Sequence, residues 1–306
     1  MGRDPATARD AAKEALTIAE LGRRFLDEYV PVHCKQSTAK DYRRAVEFLI
    51  NPELGKIRIP DLARADVSRF HHAFRGTPFQ ANRALSVLSK MMNLAEIWGL
   101  RLDGSNPCRH IKRYKEKKRK RYLNYDELER LGRVLDQIEA DGSAFPPAVA
   151  AIRLLIFTGA RLSEILHLRW EDVDLQKGLL LLPDSKTGAK VIFLPPLAIE
   201  VLSDTERLAD NPHIITGRKH GSHLVNLEKA WRRIRKLAEL DDVRLHDLRH
   251  SFASIAVGQG ISLTMIGALL GHSQPQTTAR YAHLASDPLK EASTAIGQQI
   301  SDAMGK

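Results

Sequence analysis

The second half of the sequence contains six polar side chains of the types needed to attack a phosphodiester with a tyrosine hydroxyl. They are Arg161, Lys186, His246, Arg249, His272 and Tyr281. A phenol can act as the nucleophile, planar guanidinium groups can hold two phosphate oxygens, and lysine or histidine can move the protons. Because fixed cations can stabilise the developing charge, the set predicts phosphoryl transfer that needs no metal ion and no other cofactor.

Two parts of this set lie at helical spacing. Arg161 opens a predicted helix, and Glu164 follows three positions later, where it can orient a neighbouring basic side chain. His246 and Arg249 are also three positions apart, so both can reach one phosphate, whereas His250 is expected to point elsewhere. Each residue alone is more simply explained as a surface arginine or a structural histidine, so the prediction depends on the whole set.

The remaining members of the set stand at predicted turns. Lys186 lies at the tip of a predicted hairpin, where an exposed surface lysine is the simpler explanation and Lys190 is a competitor. A pKa lowered by nearby cations would let such a lysine protonate the leaving 5′ oxygen. His272 stands at a predicted helix end, and the polar residues before Tyr281 favour presentation of its ring over burial. Since a free phenol has a pKa of about 10, Tyr281 depends on cations and on an acceptor such as His246.

Length, charge and cysteine content narrow the class of protein. The chain has 306 residues, 43% of them hydrophobic, which is enough for two domains that each bury a core. Its net charge of +10 favours a polyanionic partner, with nucleic acid ahead of an acidic membrane. The two cysteines provide neither a disulfide framework nor a zinc site, and no signal or membrane-spanning segment is evident. A location in the cytoplasm, namely the bacterial cytoplasm or nucleoid, is expected.

Helical periodicity divides the sequence into a leader and two domains joined by a basic connection. Residues 1–16 form the leader, and residues 17–105 carry four helical patterns separated by prolines. Residues 106–124 form the connection, and residues 125–306 a second domain. Capping boxes mark the first helix of each domain, at Thr17 with Glu20 and at Asn124 with Glu127. The expected fold class is mainly α, with a four-helix domain followed by an α+β domain.

The second domain contains the predicted strands. Apolar residues 179–182 and 191–194 flank a polar turn and predict an antiparallel pair, to which residues 213–216 are a candidate third strand. Later helices are predicted at 223–240, 246–258, 263–269, 276–283 and 288–304. The second domain is therefore expected to be mainly helical with one small antiparallel sheet.

Basic side chains form three candidate DNA-binding groups. Two groups lie at helical spacing in the first domain: Lys40, Arg43 and Arg44, then Arg83 and Lys90. The connection supplies the third: Arg109, Lys112, Arg113, Lys115, Lys117, Lys118, Arg119, Lys120 and Arg121. Self-repulsion would keep this segment extended, which suits a strap along a DNA backbone between two domains. Solvated helix faces, or a nuclear-targeting or solubilising segment, are the simpler alternatives.

The motifs resemble those of the tyrosine site-specific recombinases, the phage-integrase family. The matching segments are residues 158–168, Lys186 in its hairpin, residues 246–250, and His272 with Tyr281 nine positions later. The resemblance spans about residues 17–290 and implies a core-binding domain followed by a catalytic domain. It implies that Arg161 and Arg249 bind phosphate, that His246 and His272 assist, that Lys186 is the general acid and that Tyr281 forms a 3′-phosphotyrosyl bond.

The same resemblance implies a site-specific DNA recombinase that integrates or excises a mobile element. Its partners would be double-stranded core sites and three further copies in a tetramer on synapsed DNA, with a monomer free in solution and an accessory directionality factor. Residues 288–304 would dock on a neighbouring subunit. Many such integrases begin with an arm-binding domain, so the short leader indicates that this domain was removed or that this member lacks one.

Other classes stay open on the sequence alone. A type IB topoisomerase shares the tyrosine chemistry but would relax supercoiled plasmids without a defined site or a tetramer. A DNA-binding protein with a vestigial site would not form a covalent bond to DNA. A metal-dependent transposase is disfavoured because no acidic triad stands out, and activity in EDTA would separate it from the preferred interpretation.

Overall fold

Helices form most of the structure, a computed structural model that describes residues 15–116, 119–185, 188–282 and 288–305. One small antiparallel sheet accompanies them, which confirms the predicted fold class. Two compact units divide the chain, one within residues 1–118 and the other within residues 119–306. Within the described ranges, no helix combines the length and the apolar character needed to cross a membrane.

The first unit is helical. Its elements are α1 (Ile18–Arg24), α2 (Val30–His33), α3 (Gln36–Ala45), α4 (Asn51–Leu54), α5 (Arg64–Ala73) and α6 (Pro78–Ile97). π-helical turns at Phe25–Tyr29 and Val46–Ile50 connect α1 to α2 and α3 to α4, so four continuous helical segments result. The predicted capping box is present, because Thr17 Oγ1 accepts from the Glu20 backbone while the Glu20 carboxylate accepts from Thr17. The four predicted helical patterns are therefore confirmed.

The second unit carries the remaining elements. They are α7 (Tyr125–Ala140), α8 (Pro146–Thr158), α9 (Leu162–Leu166), β1 (Val173–Asp174), β2 (Leu179–Ser185), β3 (Gly188–Phe193), α10 (Pro196–Asp204), α11 (Glu228–Leu237), α12 (Leu245–Gly258), α13 (Leu263–Leu270), α14 (Pro275–Ala279) and α15 (Pro288–Ala303). The predicted box at Asn124 and Glu127 begins α7. The predicted helix over 223–240 begins only at Glu228, because Asn226 Oδ1 accepts from the Glu228 N–H and forms a local turn.

The sheet has the order β1-β2-β3, and both pairs are antiparallel. The predicted pairing of residues 179–182 with 191–194 is confirmed, with Leu180 opposite Ile192. The candidate third strand over 213–216 is not formed, because this segment makes only isolated bridges. Its two isoleucines are nevertheless fully buried. The short strand β1 pairs with β2 instead. The sheet positions Lys190 of β3 beside Glu164 of α9, one of the predicted site residues.

Candidate active site

Two helix ends present backbone carbonyls to the predicted phosphate-binding arginines. α8 and α13 stop at Gly159 and Gly271, which have φ values of 61° and 66°, a conformation that glycine adopts without a Cβ clash. Arg249 donates to Gly159 O and Leu270 O, both at 2.7 Å. Arg161 donates to Gly271 O at 2.9 Å. Since Leu270 and Gly271 are consecutive, the two guanidinium groups are fixed close together although 88 positions separate them.

Glu164 is the acidic group of this cluster. Its Oε1 accepts from Arg161 Nη1 at 2.6 Å, and its Oε2 accepts from the Arg161 backbone at 2.9 Å and from Lys190 Nζ at 3.0 Å. Burial opposes ionisation of Glu164, but the Arg161 N–H and the Lys190 cation lower its pKa overall. Burial also lowers the pKa of Lys190, against the attraction of Glu164. Lys186, the predicted general acid, lies outside the described residues.

His272 lies at the end of α13 and contacts the segment that leads to Tyr281. Its Nδ1 is 2.7 Å from Thr278 Oγ1, and Gly267 permits the close approach because a Cβ there would lie 2.9 Å from the same hydroxyl. Burial, together with the cations Arg249 and Arg161, lowers the pKa of His272 to about 4. The ring is therefore neutral at physiological pH, and a bound anion would favour its protonation.

Tyr281 is buried, which contradicts the predicted presentation of its ring. Only 5% of the residue is exposed, and it packs in an apolar cluster with Ala253, Ile266 and Leu270. The polar residues before it form the short helix α14, which ends at Ala279 and turns the chain back onto α12 and α13. Burial raises the pKa of Tyr281, although Arg280 and Arg249 oppose part of this shift.

His250 contacts Tyr281, so the prediction that this histidine points elsewhere is also wrong. Its Nδ1 lies 2.5 Å from Tyr281 Oη, and its ring packs edge-on against the ring of His246 at 4.8 Å between centroids. Adjacent positions on a helix differ by about 100° in direction, so Arg249 and His250 leave α12 on different sides. Arg249 contacts the ends of α8 and α13, whereas His250 contacts Tyr281, so both sides of α12 contribute to the site.

Burial governs the charge of both histidines on α12. It lowers the pKa of His250 to about 4, with His246 and Arg280 contributing in the same direction. The His246 residue is exposed, but the partial removal of its ring from water and the Arg249 cation lower its pKa as well. Arg249, only 4% exposed, has a pKa lowered to about 10 by burial and by Arg161, and it is still a cation at neutral pH.

The assembled groups can bind an anion and present a hydroxyl to it. Arg161, Arg249 and Lys190 are cationic, and Glu164 is the acidic side chain that hydrogen-bonds to two of them. Neutral imidazoles and a phenol complete the cluster. Across the described ranges, no group of three or more His, Cys, Asp or Glu side chains is arranged to hold a metal ion.

The predicted basic groups of the first unit lie on α3 and α6. They are Lys40, Arg43, Arg44, Arg83 and Lys90. Two aromatic rings support the pair on α6: Arg83 lies over Tyr42 at 5.3 Å and Lys90 over Tyr29 at 4.7 Å. Arg83 also lies 3.6 Å from Asp41, which brings α6 close to α3. The two helices thus present their cations on adjoining surfaces.

The basic connection is fixed at both of its described ends, each within its own unit. Buried Asn82 accepts from the Tyr114 N–H at 3.0 Å and donates to the Tyr114 carbonyl at 2.9 Å. Arg121 donates to Glu127 at 2.6 Å and to Asp242 at 2.7 Å, and these carboxylates raise its pKa. Exposed residues of the connection are Arg109, Lys112, Arg113, Lys115, Arg119 and Lys120, while Lys117 and Lys118 lie outside the described residues. The charge of Arg121 is thus largely neutralised within the protein.

Sequence reasoning missed His250, Thr278 and the two glycine carbonyls, and it treated Lys190 only as a competitor. His250 could have been found from its i, i+4 spacing to His246. Buried and exposed positions alternate along β3, and Lys190 is one of its two buried positions. The carbonyl contacts join residues 90 and 110 positions apart, so no local pattern could indicate them.

Fold and site together define a class of protein, and comparisons with known proteins identify it. The profile of the phage integrase family matches residues 121–287. The chain belongs to this family, as the resemblance of its motifs predicts. The match covers the described helices α7 to α14 and the whole sheet, and the matched range includes every described residue of the candidate site.

Individual relatives are similar over different parts of the chain. Tyrosine recombinase XerA of Pyrococcus furiosus is 32% identical over 147 residues, which cover 46% of this chain and 51% of XerA. The shufflon-specific DNA recombinase of Escherichia coli is 26% identical over 277 residues, covering 85% of this chain and 68% of that protein. The chain spans about half the length of the XerA relatives that it matches.

Solved structures share the fold. A lambda integrase dimer bound to a COC′ core site has a TM-score of 0.71 and 20% identity, covering 92% of this chain and 81% of the integrase chain. A lambda integrase tetramer bound to a Holliday junction has a TM-score of 0.70 and 20% identity, covering 90% of this chain and 82% of that chain. At this identity the similarity establishes the architecture of the chain.

Proposed function

We propose that the protein is a site-specific DNA recombinase that cleaves and rejoins DNA strands through a 3′-phosphotyrosyl bond to Tyr281. The observation that carries this proposal is the fixing of Arg161 and Arg249 side by side on consecutive carbonyls, next to the buried phenol. Two such guanidinium groups match the nonbridging oxygens of one phosphodiester. Membership of the phage integrase family supports the same activity.

In strand cleavage, Tyr281 Oη forms a bond to phosphorus as the bond from phosphorus to the 5′ oxygen breaks. Arg161 and Arg249 neutralise the charge that develops on the nonbridging oxygens, and His272 and His246 assist by hydrogen bonding. The leaving 5′ oxygen takes a proton, for which the resemblance points to Lys186. Because the phosphotyrosyl bond retains the energy of the cleaved linkage, a 5′ hydroxyl from a second DNA reverses the step without ATP.

The burial of Tyr281 bears on how DNA reaches it. We infer that a DNA phosphate reaches this residue, which is 5% exposed, when the turn around it shifts without breaking the hydrogen bond of the phenol to His250. Helix α14 is five residues long, so few backbone hydrogen bonds hold this turn. We assign the described state to the DNA-free protein, in which the nucleophile is protected.

Double-stranded DNA is the proposed partner of both a core-binding unit and a catalytic unit. The aromatic-supported cations of α3 and α6 and the exposed lysines of the connection would contact its backbone. The lambda integrase dimer on a core site and tetramer on a Holliday junction support assembly into a tetramer on synapsed sites, which would start from a monomer free in solution. α15, with Ile296 57% and Ile300 53% exposed, is the proposed subunit contact, and an accessory directionality factor would act on the assembly in the cytoplasm.

Covalent capture of DNA tests the activity. The site sequence would first be read from the joined ends of circles excised in cells that express the protein. A nicked substrate with that site should then trap the unaltered protein covalently in EDTA, whereas Tyr281→Phe should give no adduct. Absence of an adduct with the unaltered protein would overturn the proposal, and relaxation of plasmids without the site would favour a topoisomerase.

A further inference from the structure

We infer that His250 is the proton acceptor for Tyr281 during strand cleavage and returns the proton during rejoining. The inference rests on the proposed function and deepens it, because it names a second residue that touches the reacting oxygen. His250 Nδ1 lies 2.5 Å from Tyr281 Oη. Across the described residues, this is the side-chain hydrogen bond that the phenol makes.

The ring of His250 is suited to accept. Burial, the neighbouring His246 and the Arg280 cation lower its pKa to about 4, against the attraction of Asp247. The ring is therefore neutral at physiological pH, and with its hydrogen on Nε2 it offers Nδ1 as an acceptor to the phenol O–H. The hydrogen bond thus aligns the proton along the direction in which it must leave.

The cleavage step changes the environment of His250 in the favourable direction. A phosphate between Arg161 and Arg249 brings negative charge close to an imidazole that burial and cations keep neutral. As Tyr281 Oη bonds to phosphorus, its proton moves to Nδ1 and the imidazolium lies beside the new negative charge. In the reverse step a 5′ hydroxyl attacks phosphorus and gives its proton to the deprotonated general acid, for which the resemblance points to Lys186, while the phenol oxygen leaves and takes its proton back from His250.

His246 is the alternative acceptor, and its position makes it the weaker candidate. The His246 residue is exposed, and its ring meets His250 edge-on at 4.8 Å between centroids. That arrangement suits contact with a phosphate oxygen or exchange of a proton with water. It places His250 between His246 and the phenol, so His250 is the first acceptor.

The experiment measures single-turnover adduct formation on the nicked site DNA. His250→Gln retains a side chain that can hydrogen-bond to the phenol but is a very poor base. His250→Ala removes both functions, and His220→Ala, which alters a histidine side chain that is 83% exposed, is the matched control. Both His250 variants should slow adduct formation by about 100-fold or more, a typical contribution of general base catalysis, while the control keeps the wild-type rate. Thermal unfolding checks that each variant folds.

A substrate with sulfur in place of the bridging 5′ oxygen separates the two proton transfers. A thiolate leaves without protonation, so this substrate should restore adduct formation by Lys186→Ala but not by His250→Gln or His250→Ala. Rapid cleavage by folded His250→Gln would overturn the inference, and so would rescue of the His250 variants by sulfur. If the unaltered protein forms no adduct, the proposed function itself fails and the role of His250 falls with it.

Discussion

Glu164 and Lys190 form a buried ion pair, with Lys190 Nζ 3.0 Å from Glu164 Oε2 and side chains that are 4% and 6% exposed, respectively. The same carboxylate holds the guanidinium of Arg161 at 2.6 Å. Strand β3 and helix α9 are therefore joined through one acidic side chain. Any change to the lysine alters the support of a proposed phosphate-binding arginine.

Replacement of Lys190 by Met should lower the free energy of unfolding by about 3–5 kcal/mol, since it leaves a buried carboxylate with one cationic partner. Urea unfolding followed by circular dichroism would measure this. Lys177→Met is the matched control, because Lys177 is 75% exposed in its ion pair with Asp174 and should cost about 1 kcal/mol or less. Equal losses in the two variants would contradict the structural role of the buried pair.

Gly271→Ala should destabilise the protein more than Gly142→Ala. Both glycines have positive φ, 66° and 62°, where a Cβ costs about 1–2 kcal/mol. At Gly271 the new Cβ would also lie 2.7 Å from Lys190 Cε, which Glu164 holds in place, whereas at Gly142 no atom lies within 4 Å. Melting temperatures compare the two, and adduct formation should fall only for Gly271→Ala. Indistinguishable melting curves would show that Lys190 moves aside freely.

Stability should fall as the pH is lowered from about 6.5 towards 4. The pKa values of His250 and His272 are lowered from 6.5 to about 4 in the folded chain, so between these limits the unfolded chain binds more protons. Stability from these groups is thus fully present above pH 6.5 and is lost on acidification. Melting temperatures across pH 7 to 5 should show a shallower slope for the double variant His250→Gln, His272→Gln. An equal slope of melting temperature against pH in the double variant and the unaltered protein would count against the burial of neutral histidine rings.

Lys120 and Arg121 should behave differently in DNA binding although they are neighbours. Lys120 is exposed, while Glu127 and Asp242 hold Arg121. Removal of one cation that pairs with a DNA phosphate reduces the slope of log affinity against log salt by about 0.9, so Lys120→Ala should flatten the slope by this amount. Arg121→Ala should leave the slope unchanged and lower thermal stability. Fluorescence anisotropy at several salt concentrations measures both, and a flatter slope for Arg121→Ala alone would reverse the assignment.

The sequence predicts those features of the fold that depend on neighbouring residues. The capping boxes at Thr17 and Asn124 and the hairpin of β2 with β3 each follow from residues within a few positions, and the structure contains all three. Residues 213–216 are apolar enough for a strand, but strand formation needs a partner edge, which only the tertiary structure provides.

The candidate site likewise has features that the sequence predicts and features that depend on tertiary packing. Residue types and spacing are sufficient to select Arg161, Arg249, His272 and Tyr281 as a set, and all four lie in one cluster. The contact of His250 with Tyr281 and the burial of Tyr281 could not be predicted, because both depend on how α14 turns towards α12. That turn is determined by packing against α13, through the close approach of Gly267 and Thr278.

The dependence of both arginines on the ends of α8 and α13 has a consequence for the protein during its synthesis. Arg249 needs carbonyls from residues 159 and 270, and Arg161 needs the carbonyl of residue 271. A nascent polypeptide that ends before α13 lacks the carbonyls that hold the two arginines together. Tyr281 follows Gly271 by only ten residues. Under the proposed function, an incomplete chain of this kind would therefore be unable to cleave DNA.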